Sequence, residues 1–471
     1  MFSRIYSLRL KDAYRRASDV PRRQASVPGV RISLRFVLPV GLALLVAAFG
    51  SFTSVSRAAS SRRVAGTAAS PVSARLDPCP SAVRGLGTVA FAPGGQLEVV
   101  DLRSCTVRDL HQGGVFALRI SPDGRWIAFT RLGATGLQGP YVISVGGGPV
   151  SAPLGSDVPA WAWGVHADVL YGVTARGTLI AAAPSGARRT IPPPGSSLGV
   201  APRGDRLAVS NSKCGGISTP ATGELDTVAL PGGARNVVLY RNSAFFVFAG
   251  WSPDERWLLF WHEPLCSGSL QDDGMPLEAI AVGGGSPVPV VGTLVYRDFL
   301  TWCGNQLIAA AGGGRQSNLD KSLIAASPPA WKAVTIVPSR RRSWVSPACS
   351  PSGHVLAAAA GPNQSGRTPL PPRRSIWLMQ PDGSGLHQLT SPPSAAFTDE
   401  SPQWSTNGQW IMFLRAKLAA NYGVVSGGTI ELVKANGAGR PIPIVTFTGS
   451  VDGFYDHLSW PDISDWHQPD R

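Results

Sequence analysis

The chain has 471 residues, six cysteines and a formal net charge of +14. That charge invites a nucleic-acid partner, but its distribution excludes one. Residues 1–35 hold nine Lys/Arg against Asp12 and Asp19 and account for +7, Arg57, Arg62, Arg63 and Arg75 add +4, and only +3 remains for the nearly 400 residues beyond.

The basic stretch 1–35 reads as a cytoplasmic tail. It precedes residues 36–56, which carry no charge, and Val37–Phe49 within them is strongly apolar. About 20 helical residues cross the ~30 Å hydrocarbon core, so this segment is expected to be a single transmembrane signal-anchor helix. The lysine and arginine excess keeps the N-terminus inside and sends the rest of the chain outside the cytoplasm. The tail then lies against anionic lipid, each Lys or Arg contributing about 1 kcal/mol near the surface. A cleaved signal peptide is the alternative. Against it stand the 35-residue basic region and the lack of an Ala-x-Ala site better than Ala48-Phe49-Gly50. Residues 57–85, rich in Ser, Ala and Arg at their start, read as a flexible stalk.

Three strands are predicted next, at Gly87–Phe91, Leu97–Asp101 and Thr106–Leu110. Then a phrase begins to recur. Ile120-Ser121-Pro122-Asp123-Gly124-Arg125-Trp126 returns as Trp251-Ser252-Pro253-Asp254-Glu255-Arg256-Trp257 and as Trp404-Ser405-Thr406-Asn407-Gly408-Gln409-Trp410. Weaker copies start at Trp163, Val200, Trp302, Cys349 and Trp460, so eight anchors recur about every 49 residues, a spacing that marks a repeat architecture. Each copy reads as strand, tight turn, strand. A later turn, Asp382-Gly383 after Ser375–Gln380, supplies the third and fourth strands of a unit. Asp123, Gly124, Asp254, Asn407, Gly408, Asp382 and Gly383 are therefore read as structural turn residues. Four strands per unit, repeated radially, predict an all-β fold, a β-propeller over residues 86–465. The anchors count eight blades, and the closely spaced copies at Trp163 and Val200 leave seven as the alternative. The last anchor lacks further strands after it, and the first three strands lack an anchor. Leu458–Trp460 is thus expected to complete the blade of residues 87–110.

These units resemble the WD40-like repeats of the TolB-type β-propeller family, whose blades carry a Trp-Ser-Pro-Asp-Gly turn and a later Asp-Gly turn. The resemblance spans residues 86–465 and implies the fold rather than an activity. About ten residues separate Arg75 from the first strand, too few for the small α/β domain that precedes the TolB propeller.

All six cysteines lie beyond the apolar segment, which fits an oxidising compartment. Cys214 and Cys266 fall in equivalent loops of successive blades and are expected to pair. Cys303 and Cys349 lie one register apart in successive innermost strands, and Cys79 and Cys105 flank the first two strands. No Cys-x-x-Cys or His-x-His spacing supports a metal, and no cofactor motif is present. There is no Gly-x-Ser-x-Gly elbow either, which argues against a propeller-bearing serine peptidase. The inner-strand segments offer mainly apolar or small residues. The expected function is therefore a membrane-anchored binding or scaffold module for an envelope protein, peptide or glycan. A propeller hydrolase or lyase using channel carboxylates and a metal is the alternative. Three or more acidic or histidine side chains converging on the channel would favour it.

Overall fold

A computed structural model describes residues 75–76 and 81–468, apart from 134–135, 167, 193, 214–221, 242–244, 264–273, 313, 364–372, 419–423 and 455–456. The expected anchor at 36–56 and the tail before it lie outside the described residues. Among the described residues no helix is long and apolar enough to cross a membrane.

The turn phrase builds the same corner each time. The Ser121 hydroxyl donates to Asp123 (2.5 Å) and accepts the Trp126 N–H (3.0 Å), while Asp123 accepts the Arg125 N–H (2.9 Å). Ser252 with Asp254 and Ser405 with Asn407 repeat this wiring. The residue after the Asp or Asn is left-handed in all of them, at φ 73° in Gly124 and 66° in Gly408. Because these bonds are local, the turn folds wherever the phrase occurs, and two strands are forced antiparallel on either side of it.

Eight blades result, consistent with the count of anchors. Blade 1 holds Thr88–Phe91, Glu98–Asp101 and Thr106–Asp109; blade 2 holds Val115–Ile120, Trp126–Gly133 and Gly136–Ser144. In blade 2 the outermost strand shrinks to one bridge between Val142 and Ser151. Blades 3 to 8 start from the inner strands Ala160–Trp163, Ser197–Val200, Phe245–Trp251, Leu300–Cys303, Arg342–Cys349 and Phe397–Trp404, each the first of four strands in antiparallel order. A short strand, Arg75–Leu76, pairs with the outer strand Ile442–Phe447 of blade 8.

Alternation along each strand sends successive side chains to opposite neighbours. In blade 8, Ile411, Phe413 and Val433 pack on the alanine-rich strand Leu356–Pro362 of blade 7. Met412, Leu414, Ile430 and Leu432 pack instead toward Phe91 and Val99 of blade 1. Neither face of the blade is left to water.

The termini do share blade 1, but the closing strand is not Leu458–Trp460. It is Ser464–His467, which pairs residue by residue with Thr88–Phe91. The earlier segment turns back instead: His457–Leu458 pairs with Val451–Phe454, and Trp460–Ile463 forms one helical turn. The reason is local. Pro461 suits the first turn of a helix, and the buried Trp460 stacks on Phe447 (ring centroids 5.5 Å apart, 7° between planes). The letters Trp-Pro-Asp resemble the repeat phrase but lack the residue that stands between Trp and Pro in Trp251-Ser252-Pro253-Asp254.

Candidate functional site

Inner strands line the axis of a propeller, and two of them carry a feature the repeat phrase does not reveal. Ser346 and Ser401 have φ of 48° and 53°, and the register with the next strand slips at both places. These bulges redirect the inner strand between two ladders that are otherwise regular. The Ser346 hydroxyl donates to Asp298 Oδ2 at 2.8 Å. Asp298 belongs to a single 3-10 turn, Arg297–Phe299, ahead of the inner strand of blade 6.

Asp298 also holds His457, whose Nε2 lies 3.0 and 2.9 Å from its two carboxylate oxygens. The imidazole stacks on Tyr296 (3.9 Å, 15°) and meets Phe299 edge-on. His457 is buried, and among the described residues its Nδ1 has no hydrogen-bond partner. Burial pushes the Asp298 carboxyl up, but the adjacent imidazole and the bonds from His457 and Ser346 outweigh it, so it lies below the usual carboxylate range. The order is Ser–Asp–His with the acid in the middle. The serine is therefore not activated by the histidine, and the arrangement is not a nucleophile–base pair.

Five residues after His457, the chain reaches the opposite side of the ring. Arg119, on the inner strand of blade 2, places Nη1 2.6 Å from Leu118 O and 3.4 Å from Asp462 O. Asp465 Oδ2 accepts the Ile120 N–H at 2.7 Å. Burial raises the Asp465 carboxyl despite Arg119 and two backbone N–H groups that favour its charge. Arg297 is lowered by burial and by Arg119, with Asp462 opposing. The inner strands thus bear Arg119 and Asp465 beside apolar and small residues, and the turn ahead of blade 6 and the segment leading into blade 1 add Arg297, Asp298, His457 and Asp462 around the channel. Among the described residues no three His, Cys, Asp or Glu side chains are grouped as metal ligands.

The sequence-predicted residues lie elsewhere. Asp123, Gly124, Asp254, Asn407 and Gly408 form turns on one face, and Asp382 accepts the Ser384 N–H (2.8 Å) beside Gly383 in an outer turn. A cleft of about 530 Å³ opens beside Asp254 between blades 4 and 5, but its Arg206 already holds the buried Glu255 at 2.8 Å. Cys303 and Cys349 form a disulfide between the inner strands of blades 6 and 7. Cys105 is also disulfide-bonded. Cys79, Cys214 and Cys266 lie outside the described residues, and with them the expected Cys214–Cys266 bridge. Of the tryptophans outside the repeat register, Trp261, Trp331, Trp344 and Trp466 are buried.

No family model matches the chain, and no curated protein does. Among solved structures, TolB from Acinetobacter baumannii is 12% identical over 82% of this chain and 67% of that one, with a TM-score of 0.37. A putative TolB from Agrobacterium tumefaciens is 13% identical over 80% and 95%, with a TM-score of 0.32. An oligogalacturonate lyase in complex with manganese is 12% identical over 80% and 97%, with a TM-score of 0.42. What these share with the chain is the fold: it is a β-propeller distantly similar in structure to the TolB propeller and to other propellers.

Proposed function

We propose that the protein is a membrane-anchored, extracytoplasmic binding module whose channel face takes an envelope protein, peptide or glycan. The observation that carries this reading is the channel lining itself. Charged groups stand there on or beside paired inner strands, so little ordering of the backbone remains to be done on binding. The charge asymmetry around residues 36–56 supports the anchor, and the Cys303–Cys349 disulfide fits a compartment outside the cytoplasm. The resemblance to the TolB-type family rests on the repeat phrase.

A hydrolase or lyase is the second reading, favoured by the convergence of Asp298, His457, Asp462 and Asp465. It is weaker because Asp298 is held by His457 and Ser346 and Asp465 by a backbone N–H. Arg119 and Arg297 would also repel a catalytic cation.

Two experiments test the proposal in cells producing the full chain. Protease added to spheroplasts should digest the propeller and spare residues 1–35. A photoreactive residue replacing Asp462 should form adducts with an envelope component, whereas one replacing Leu386, which is 40% exposed on the outer rim, should not. Equal labelling from both positions, or none, removes the channel as the binding site.

A further inference from the structure

The segment from His457 to Asp462 ties opposite sides of the ring together. At its start His457 bonds Asp298 of blade 6, and at its end the Asp462 carbonyl meets Arg119 of blade 2. Blades 2 and 6 are four apart in a ring of eight, so Arg297, next to Asp298, and Arg119 approach the axis from opposite walls. Both side chains keep exposed surface, although Arg297 lies deep in the ring.

Neither makes an ion pair among the described residues. Four arginines of the scaffold each hold a carboxylate: Arg374 with Glu400, Arg415 with Asp399 and Glu431, Arg206 with Glu255, Arg235 with Asp226. Among the described residues the guanidinium of Arg119 bonds only carbonyl oxygens, and that of Arg297 makes no hydrogen bond or ion pair. The acids nearby are bonded to other groups. Asp298 is occupied by His457 and Ser346, and Asp465 by the Ile120 N–H. Among the described residues no carboxylate is bonded to either guanidinium, so both forks stay open inside a protein-walled passage, where the field is focused rather than dispersed.

We propose that Arg119 and Arg297 form an anion subsite in the channel, taking a carboxylate or phosphate group carried by the ligand. A guanidinium presents a planar fork of N–H donors that matches either group with two parallel bonds. An anion between the two forks also offsets the desolvation and the mutual repulsion that Arg297 suffers in its absence. The subsite presupposes that the channel is where the module binds.

The test uses the full chain in detergent, with acetate and inorganic phosphate as probes against chloride at matched ionic strength. Saturable binding is expected by calorimetry, together with a rise in melting temperature. Arg119→Gln and Arg297→Gln should each weaken it about tenfold or more, whereas Arg188→Gln, on the exposed outer strand of blade 3, should not. Arg297→Lys keeps the charge without the fork and should recover part of the loss, which separates a lost contact from a damaged fold. Binding of acetate alone identifies the ligand group as a carboxylate, and binding of phosphate alone as a phosphate. No saturable effect of either anion, or one that survives the double Gln variant, overturns the subsite. If position 462 still labels an envelope component in that case, the binding module stands and only the anion subsite falls.

Discussion

Asp226 shows what a single buried charge does to this fold. It lies in the third strand of blade 4 with no exposed surface. Its Oδ2 takes Arg235 Nε at 3.0 Å, but Arg235 also serves Glu224, and among the described residues Oδ1 has no partner. Burial prevails and raises the carboxyl to about 6, against about 3.9 in an unfolded chain. The folded state therefore binds the extra proton between about pH 4 and 6. The stability this group contributes is fully present below that window and is lost as pH rises through about 6. Asp226→Asn should remove the dependence. The stability of the natural chain relative to the variant should fall by roughly 2–3 kcal/mol between pH 4 and 7 in urea melts. Parallel curves would show that Asp226 does not titrate there. Glu255 is a second exception, a non-glycine at φ 58° where Gly124 and Gly408 stand in sister turns. Its buried carboxylate takes the Arg203 N–H and Arg206 Nη2. Glu255→Gly relieves about 1 kcal/mol of left-handed strain but strips two charge-assisted bonds worth about 1.5–3 kcal/mol each. A net loss of about 2–5 kcal/mol is expected in the same melts, and a gain would mean the clamp contributes nothing.

At the scale of elements, the anchor tryptophans do more than fill space between blades. Trp163 Nε1 donates to Arg119 O (3.1 Å), Trp251 Nε1 to Gly199 O (3.1 Å) and Trp404 Nε1 to Ala348 O (2.9 Å). Each acceptor immediately precedes the anchor of the preceding blade, so the indole pins one inner strand to the next. Trp251→Phe should cost about 1–3 kcal/mol, because the Gly199 carbonyl is left without its donor. Trp302→Phe, which loses no such bond among the described residues, should cost less in urea unfolding. This periodicity explains why the blades were legible in the sequence. Turn, strand and anchor are fixed by residues within one phrase, from Ser121 to Trp126 or Ser405 to Trp410. The channel lining was not legible for the opposite reason. Asp298 and His457 are 159 residues apart and Arg119 and Asp462 are 343 apart, and no local pattern relates them. One partial signal existed. Ser346-Pro347 and Ser401-Pro402 stand at the same distance before Cys349 and Trp404, and both serines mark bulges.

For the whole molecule the decisive contact is the seam. Ser464–His467 supplies the inner strand of blade 1, Trp466 Nε1 donates to Leu86 O at 2.7 Å, and Asp465 reaches into blade 2. Removing that strand leaves Thr88–Phe91 as a bare edge and uncovers apolar faces on blades 1, 2 and 8. The Cys303–Cys349 disulfide cannot compensate, since it joins blades 6 and 7, away from the seam. Deleting residues 464–471 should therefore destabilise the entire ring. Trp466 alone accounts for about 2–3 kcal/mol of burial, and the lost strand adds about 1 kcal/mol for each hydrogen bond. Deleting residues 1–74, which keeps Arg75–Leu76 on blade 8, should leave the melting temperature within a few degrees of the full chain. Reduction of Cys303–Cys349 and of the bridge that holds Cys105 belongs in the same experiment, because it opens cross-links without removing a strand. If the C-terminal deletion melts no earlier than the reduced full chain, the ring does not depend on its seam, and each blade must be held by its neighbours alone.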